Sequence, residues 1–260
     1  MKTKFLMAGA ILCLCAVLFG GYMLYRHYMD EQQYTEEFEN LAAVVQQAKD
    51  DKEQTSADVP LAEDETILSE YDALYLQNQD FVGWLRIDGT TINYPVMQTP
   101  DRPDYYLKRN FEGKPSNHGV PYVSEGCDVL APSDNIIIYG HHIKGGKMFG
   151  ALMDYTKKDF YEQHKIIRFD TLMEYGEYEI VAVFRTVAYS ENGFPFFRFI
   201  NAENTEDFDA YIAECKRLSY YDTGVTAEYG DKLITLSTCE YSAQNGRLVI
   251  VAKKITEGGS

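Results

Sequence analysis

Read from the N-terminus, the chain begins with an uninterrupted apolar run, Phe5 to Tyr25, 21 residues without a charge. At 1.5 Å per helical residue that run covers the roughly 30 Å of a bilayer's hydrocarbon. A membrane-spanning signal anchor over residues 1–27 is therefore expected, with Lys2 and Lys4 favouring the N-terminus inside. A cleaved signal peptide is the alternative, although its apolar part is normally shorter and ends in an A-x-A-like site. Tyr34, Phe38, Leu41, Ala42, Val45 and Ala48 then recur at helical spacing. They predict an amphipathic helix beside the membrane, followed by a polar linker over Asp50–Asp58 that closes at Pro60. Residues 28–60 form this second segment, and 61–260 are left for a folded domain.

Within that domain Ile67, Leu68, Tyr71, Leu74 and Tyr75 indicate one more helix. From Phe81 the pattern changes to short apolar runs broken by turn residues: FVGWLRI, TINYPVM, NIIIYG, YEIVAVFRTVAY, KLITLST and RLVIVAKKI. Six strands at least are predicted. Thr205–Leu218 interrupts them as a helix, with Thr205 as its expected N-cap and Phe208, Tyr211, Ile212, Cys215 and Leu218 along one face. The fold class is mostly β, a sandwich or a barrel carrying helices at its N-terminus and in one long connection.

Composition narrows the partners. With 24 Lys and Arg against 40 Asp and Glu, the formal charge is −16, which leaves no basic groove for a phosphate backbone and excludes nucleic acid as a partner. Asp30 to Glu70 alone holds thirteen acidic and two basic residues. Of five cysteines, Cys13 and Cys15 fall in the apolar run, where they read as small apolar residues, and Cys127, Cys215 and Cys239 show neither metal-ligand nor disulfide spacing. Cys215 belongs to the buried helix stripe. His118 and His164 carry no signal and are assigned to the surface.

Three local patterns point to chemistry. In Leu233–Cys239, alternation puts Thr235, Ser237 and Cys239 on one face, so the thiol stands at a strand end among polar neighbours. The run Asn135–Tyr139 stops at Gly140 and delivers His141 and His142. Consecutive strand residues point to opposite faces and no third ligand is spaced to join them, which argues against a metal site. Arg247 opens a strand eight residues after Cys239, a separation that suits two antiparallel neighbours joined by the polar turn Glu240–Gly246. A guanidinium there keeps a sheet edge soluble, or presents paired N–H donors to a developing oxyanion.

From about Leu61 to Ile255 the chain resembles the sortases, in particular the class B sortases. YGHH around His141, TLSTC ending at Cys239 and GRLVIVAKK from Gly246 look like that family's His, Cys and Arg motifs in order and spacing. Further similar stretches are Gly83–Ile87, Asn93–Val96 and Tyr105–Leu107, and Thr205–Leu218 resembles the helix class B enzymes carry between their sixth and seventh strands. The resemblance implies an eight-stranded β-barrel transpeptidase at the outer face of a Gram-positive cell membrane. It would attack a Thr carbonyl in the C-terminal sorting motif of secreted proteins and pass the acyl group to an amine of a cell-wall peptide or a pilin.

In that scheme Cys239 is the nucleophile, His141 protonates the leaving amine, Arg247 holds the oxyanion and Ser237 helps position substrate. No cofactor enters it. Glu240 stands where many class B members have Asp, and Ser190–Gly224 is where motif selection is expected to vary. Ordinary pKa values give about 3% thiolate and about 24% imidazolium at pH 7. Either a cationic neighbourhood lowers the thiol's pKa or a small competent fraction turns over slowly. Hydrolysis of the same thioester by a cysteine endopeptidase, and a non-catalytic tethered surface module, are the rival functions.

Overall fold

The computed structural model describes residues 2–55, 67–188, 190, 191, 193–240 and 244–256. One helix, α1 (Lys2–Thr55), runs through the stretch expected to be the anchor and on through the juxtamembrane segment to Thr55. The chain divides into a unit ending at Ala43 and a second unit from Val44 onward, which holds every other element. Asp50–Thr55, read as the start of a linker, is still helical, because no Gly or Pro breaks the pattern between Tyr22 and Val59. The rest of that linker, 56–58, lies outside the described residues, as do 59–66.

The expected anchor over residues 5–25 is overturned: among the described residues no helix is long and apolar enough to cross a membrane. The single-pass placement in the cell membrane, with the N-terminus inside and the domain outside, falls with it.

In the second unit α2 (Asp72–Gln77) is shorter than the spacing from Ile67 suggested, and leads into the strands. These are β1 (Phe81–Arg86), β2 (Asn93–Met97), β3 (Tyr122–Val123), β4 (Asn135–Gly140), β5 (His142–Ile143), β6 (Lys147–Met148), β7 (Ile166–Thr171), β8 (Glu177–Val187), β9 (Leu233–Glu240) and β10 (Gly246–Lys254). Eight of them close a barrel in the order β1-β2-β3-β4-β9-β10-β8-β7, while β5 and β6 form a separate hairpin. Closure leaves the eight strands without an open edge. All six strands read from the sequence are present. β3 is two residues long and β7 alternates Ile167, Phe169 and Thr171 inward against charged neighbours, so neither made an apolar run.

Two remaining helices are α3 (Lys158–Gln163) and α4 (Thr205–Leu218). Helix α4 sits between the sixth and seventh barrel strands in chain order, as the class B pattern implied. Its N-cap is Asn204 rather than Thr205: the Asn204 side chain accepts from the Asp207 N–H at 2.9 Å. Phe208, Tyr211, Ile212 and Cys215 are buried on its inner face, with Tyr211 stacked on Phe199 at 3.9 Å between ring centroids.

The neighbours that position the site are β4, β9 and β10. β9 pairs antiparallel with β10 and parallel with β4. Their mixed order brings strand ends from three parts of the sequence to one end of the barrel.

Candidate active site

Cys239 is the second-last residue of β9, and the register places Arg247 of β10 directly opposite it. Opposed residues of an antiparallel pair share a face with Cβ atoms about 5 Å apart. The eight-residue separation predicted this pairing, although 241–243 of the turn lie outside the described residues. Arg247 is half-buried, and its Nη1 donates to the Gly246 carbonyl at 3.0 Å. On its other side it faces Thr186 of β8, so Cys239, Arg247 and Thr186 form a row across three strands. Thr186 went unnoticed in the sequence because it sits inside the long run YEIVAVFRTVAY. Its Oγ1 accepts from the Phe194 N–H at 2.8 Å, at the start of the connection that carries α4.

The parallel ladder between β4 and β9 ends at the Gly140–Thr238 pair, tied further by the Thr238 hydroxyl to the Gly140 carbonyl at 2.8 Å. One residue further along each strand stand His141 and Cys239. Glycine is required at 140 because a Cβ there would come within 2.6 Å of the Phe149 ring. Phe149 in turn donates its N–H to the His141 carbonyl at 2.9 Å. The His141 ring points to the 3₁₀ turn Tyr105–Lys108, where Nε2 lies 2.5 Å from the Leu107 carbonyl and donates to it. Gly119, at φ +64°, passes this contact so closely that a Cβ would meet the Leu107 carbonyl at 2.6 Å and the imidazole Cδ2 at 3.1 Å. The Tyr105–Leu107 stretch, noted only as a matching sequence, therefore orients an imidazole.

Ser237 is buried between Tyr139 and Val249 in the ladder, and its hydroxyl has no hydrogen-bond partner among the described residues. A buried hydroxyl left unpaired is costly, so it is a group with unused bonding capacity two residues from the thiol.

The three cysteines outside α1 differ sharply. Cys239 is half-exposed and free. Cys127 is buried, its Sγ 3.4 Å from both the Asn135 carbonyl and the Ile137 N–H, and burial pushes its thiol up to about 11. Burial pushes Cys215 up to about 12. Desolvation disfavours the thiolate, so both are poor nucleophiles and belong to the core.

Of the unassigned histidines, His118 is buried rather than on the surface. Its loop is drawn onto the 3₁₀ turn by the Val120 N–H, which donates to the Tyr106 carbonyl at 3.2 Å. His164 is half-buried, stacked on Phe160 and donating from Nδ1 to that residue's carbonyl at 2.8 Å. Among the described residues, no group of three or more His, Cys, Asp and Glu side chains is arranged to hold a metal ion.

A half-exposed thiol, an imidazole one residue beyond the shared ladder and a guanidinium directly across the strand supply the three groups that acyl transfer at a peptide bond needs. The family described as the Sortase domain matches residues 85–255. The chain is 32% identical to Sortase B of Staphylococcus aureus (strain NCTC 8325 / PS 47) over 254 residues, 97% of each chain. It superposes on a Staphylococcus aureus sortase B–substrate complex with a TM-score of 0.76 at 30% identity, covering 88% of this chain and 100% of that one. Against a sortase B complexed with triglycine the TM-score is 0.74, again at 30% identity over 88% and 100% of the two chains.

Proposed function

The chain belongs to the class B sortases and is a cysteine transpeptidase, and on that footing we propose that Cys239, His141 and Arg247 carry the reaction. The Cys239 thiolate attacks the carbonyl carbon of a residue, expected to be Thr, in a C-terminal sorting motif. Arg247 donates to the oxyanion, and the C–N bond then breaks as His141 protonates the departing amine. A thioester on Cys239 remains. An amine from a cell-wall peptide or a pilin lysine attacks it, gives up a proton to His141 and restores the thiol. Relatives solved with a substrate and with triglycine support two ligands engaged in turn.

The observation that carries this reading is the direct opposition of Cys239 and Arg247, with His141 next after the shared β4–β9 ladder. Ser237 offers its unpaired hydroxyl to the bound motif, and the connection Ser190–Gly224, which meets the site at Thr186, shapes motif choice.

The test is mass spectrometry of the purified protein incubated with a library of candidate sorting peptides, with and without an added amine. An acyl adduct on Cys239 that passes to the amine is expected. Hydrolysis alone at saturating amine would make the protein an endopeptidase, and a thiol probe labelling Cys239 no faster than Cys215 would make it a non-catalytic module.

A further inference from the structure

Consecutive residues of an extended chain face opposite ways, and the dipeptide His141–His142, where β4 gives way to β5, uses both directions. His141 turns to the Leu107 carbonyl, while the half-buried His142 turns to β9, where its Nδ1 lies 3.1 Å from the carbonyl oxygen of Cys239. The β4–β9 ladder has already ended at Gly140–Thr238, so this imidazole bond extends the tie between the two strand ends by one residue. The tie has a firm base. His142 pairs with Met148 in the β5–β6 hairpin, the Met148 N–H donates to the Tyr94 hydroxyl at 3.1 Å, and the Phe149 N–H holds the His141 carbonyl.

Resting on the reading of Cys239 and His141 given above, we propose that His142 is a positioning residue for transpeptidation: its Nδ1–H fixes the main chain of the nucleophile to the dipeptide that carries the proton donor. It takes no part in proton transfer. Because His141 and His142 are adjacent, the sulfur and the neighbouring imidazole are held to one short frame, and loosening that frame disturbs their distance. Displacements of about 1 Å between reacting groups cost on the order of 100-fold in rate.

Three substitutions separate this role from simple packing. His142→Asn keeps an N–H donor bonded to Cγ, where Nδ1 sits; His142→Gln moves the donor one bond outward; His142→Leu keeps bulk and removes the donor. With a sorting peptide and an amine, His142→Leu and His142→Gln are expected to lower kcat about 10- to 100-fold with KM within about 2-fold of wild type, and His142→Asn to stay within about 3-fold throughout. Wild-type kcat in His142→Leu, or equal kcat in the Asn and Gln variants, overturns the proposal, and the Asn–Gln comparison decides it should the Leu variant fail to fold. Alkylation of Cys239 by iodoacetamide, followed by mass spectrometry, gives a second reading that needs no sorting chemistry. Wild-type and Asn proteins are expected to react at one rate and the Gln variant several-fold more slowly, and equal rates in all three count against the proposal. A wild-type protein that forms no acyl adduct refutes the functional reading instead, and the alkylation rates still judge His142.

Discussion

Thr235 and Cys239 stand on the same face of β9, four residues apart, in opposite surroundings. Around Thr235 the polar groups are saturated. Its hydroxyl donates to Asn135 Oδ1 at 2.8 Å, the Asn135 Nδ2 donates to the Phe199 carbonyl at 2.8 Å, and Tyr211 of α4 covers them from a stack on Phe199. Both Thr235 and Asn135 are fully buried. Towards the other end Ser237 keeps an unpaired hydroxyl and Cys239 a half-exposed thiol. One strand thus has its hydrogen-bonding capacity satisfied internally at its start and left open at its end. The connection carrying α4 contributes to the division: it covers the first part through Tyr211 and Phe199 and meets the second at Thr186 and Asn245.

The sharpest way to test that division is to remove the sulfur. Cys239→Ala is expected to lower transpeptidation by at least about 10³-fold while leaving the thermal unfolding midpoint unchanged, and a matching loss of stability would mean the open end also holds the fold. A maleimide probe compares the ends without mutation. At pH 8 the pKa values near 11 and 12 leave thiolate fractions of about 10⁻³ for Cys127 and about 10⁻⁴ for Cys215. Because burial raises these values, their labelling is expected to rise only as the pH climbs toward 11–12, and Cys239 is expected to label first. Peptide mapping that finds Cys127 labelled as fast at pH 8 contradicts this.

Arg247→Lys is expected to cost about 10- to 100-fold in kcat, because a single ammonium does not reproduce the guanidinium's fixed fork; steady-state kinetics checks it, and wild-type turnover rejects the oxyanion role. At the saturated end, Asn135→Ala strands the Thr235 hydroxyl and the Phe199 carbonyl. Urea unfolding is expected to show a loss of about 2–3 kcal/mol with kcat of the folded protein intact. The smallest effect belongs to Ser237→Ala. With no bond to lose it is expected to change stability by less than about 1 kcal/mol, and to raise KM for the sorting peptide a few-fold; an unchanged KM removes Ser237 from the substrate site.

Much of the barrel was legible because its strands announce themselves as apolar runs ended by glycine or polar turns, as in Asn135–Gly140 and Leu233–Cys239. The Cys239–Arg247 pairing followed from counting residues across a turn. What remained hidden was made by packing between distant parts of the chain. Nothing local marks Leu107 as the acceptor for His141, or Gly119 as the residue whose missing side chain lets the two approach. The two-residue strands β3, β5 and β6 are too short for any periodicity, and β7 hides its alternation behind Arg168 and Asp170.

The parallel seam between β4 and β9 joins residues 98 positions apart, whereas β9 and β10 are separated by five residues of chain. Local pairings form readily, and long loops close late. In a refolding chain the Cys239–Arg247 pairing is therefore expected to form before the β4–β9 seam brings in His141. With the roles proposed for these three side chains, the power to join peptides is expected to date from the closing of that seam.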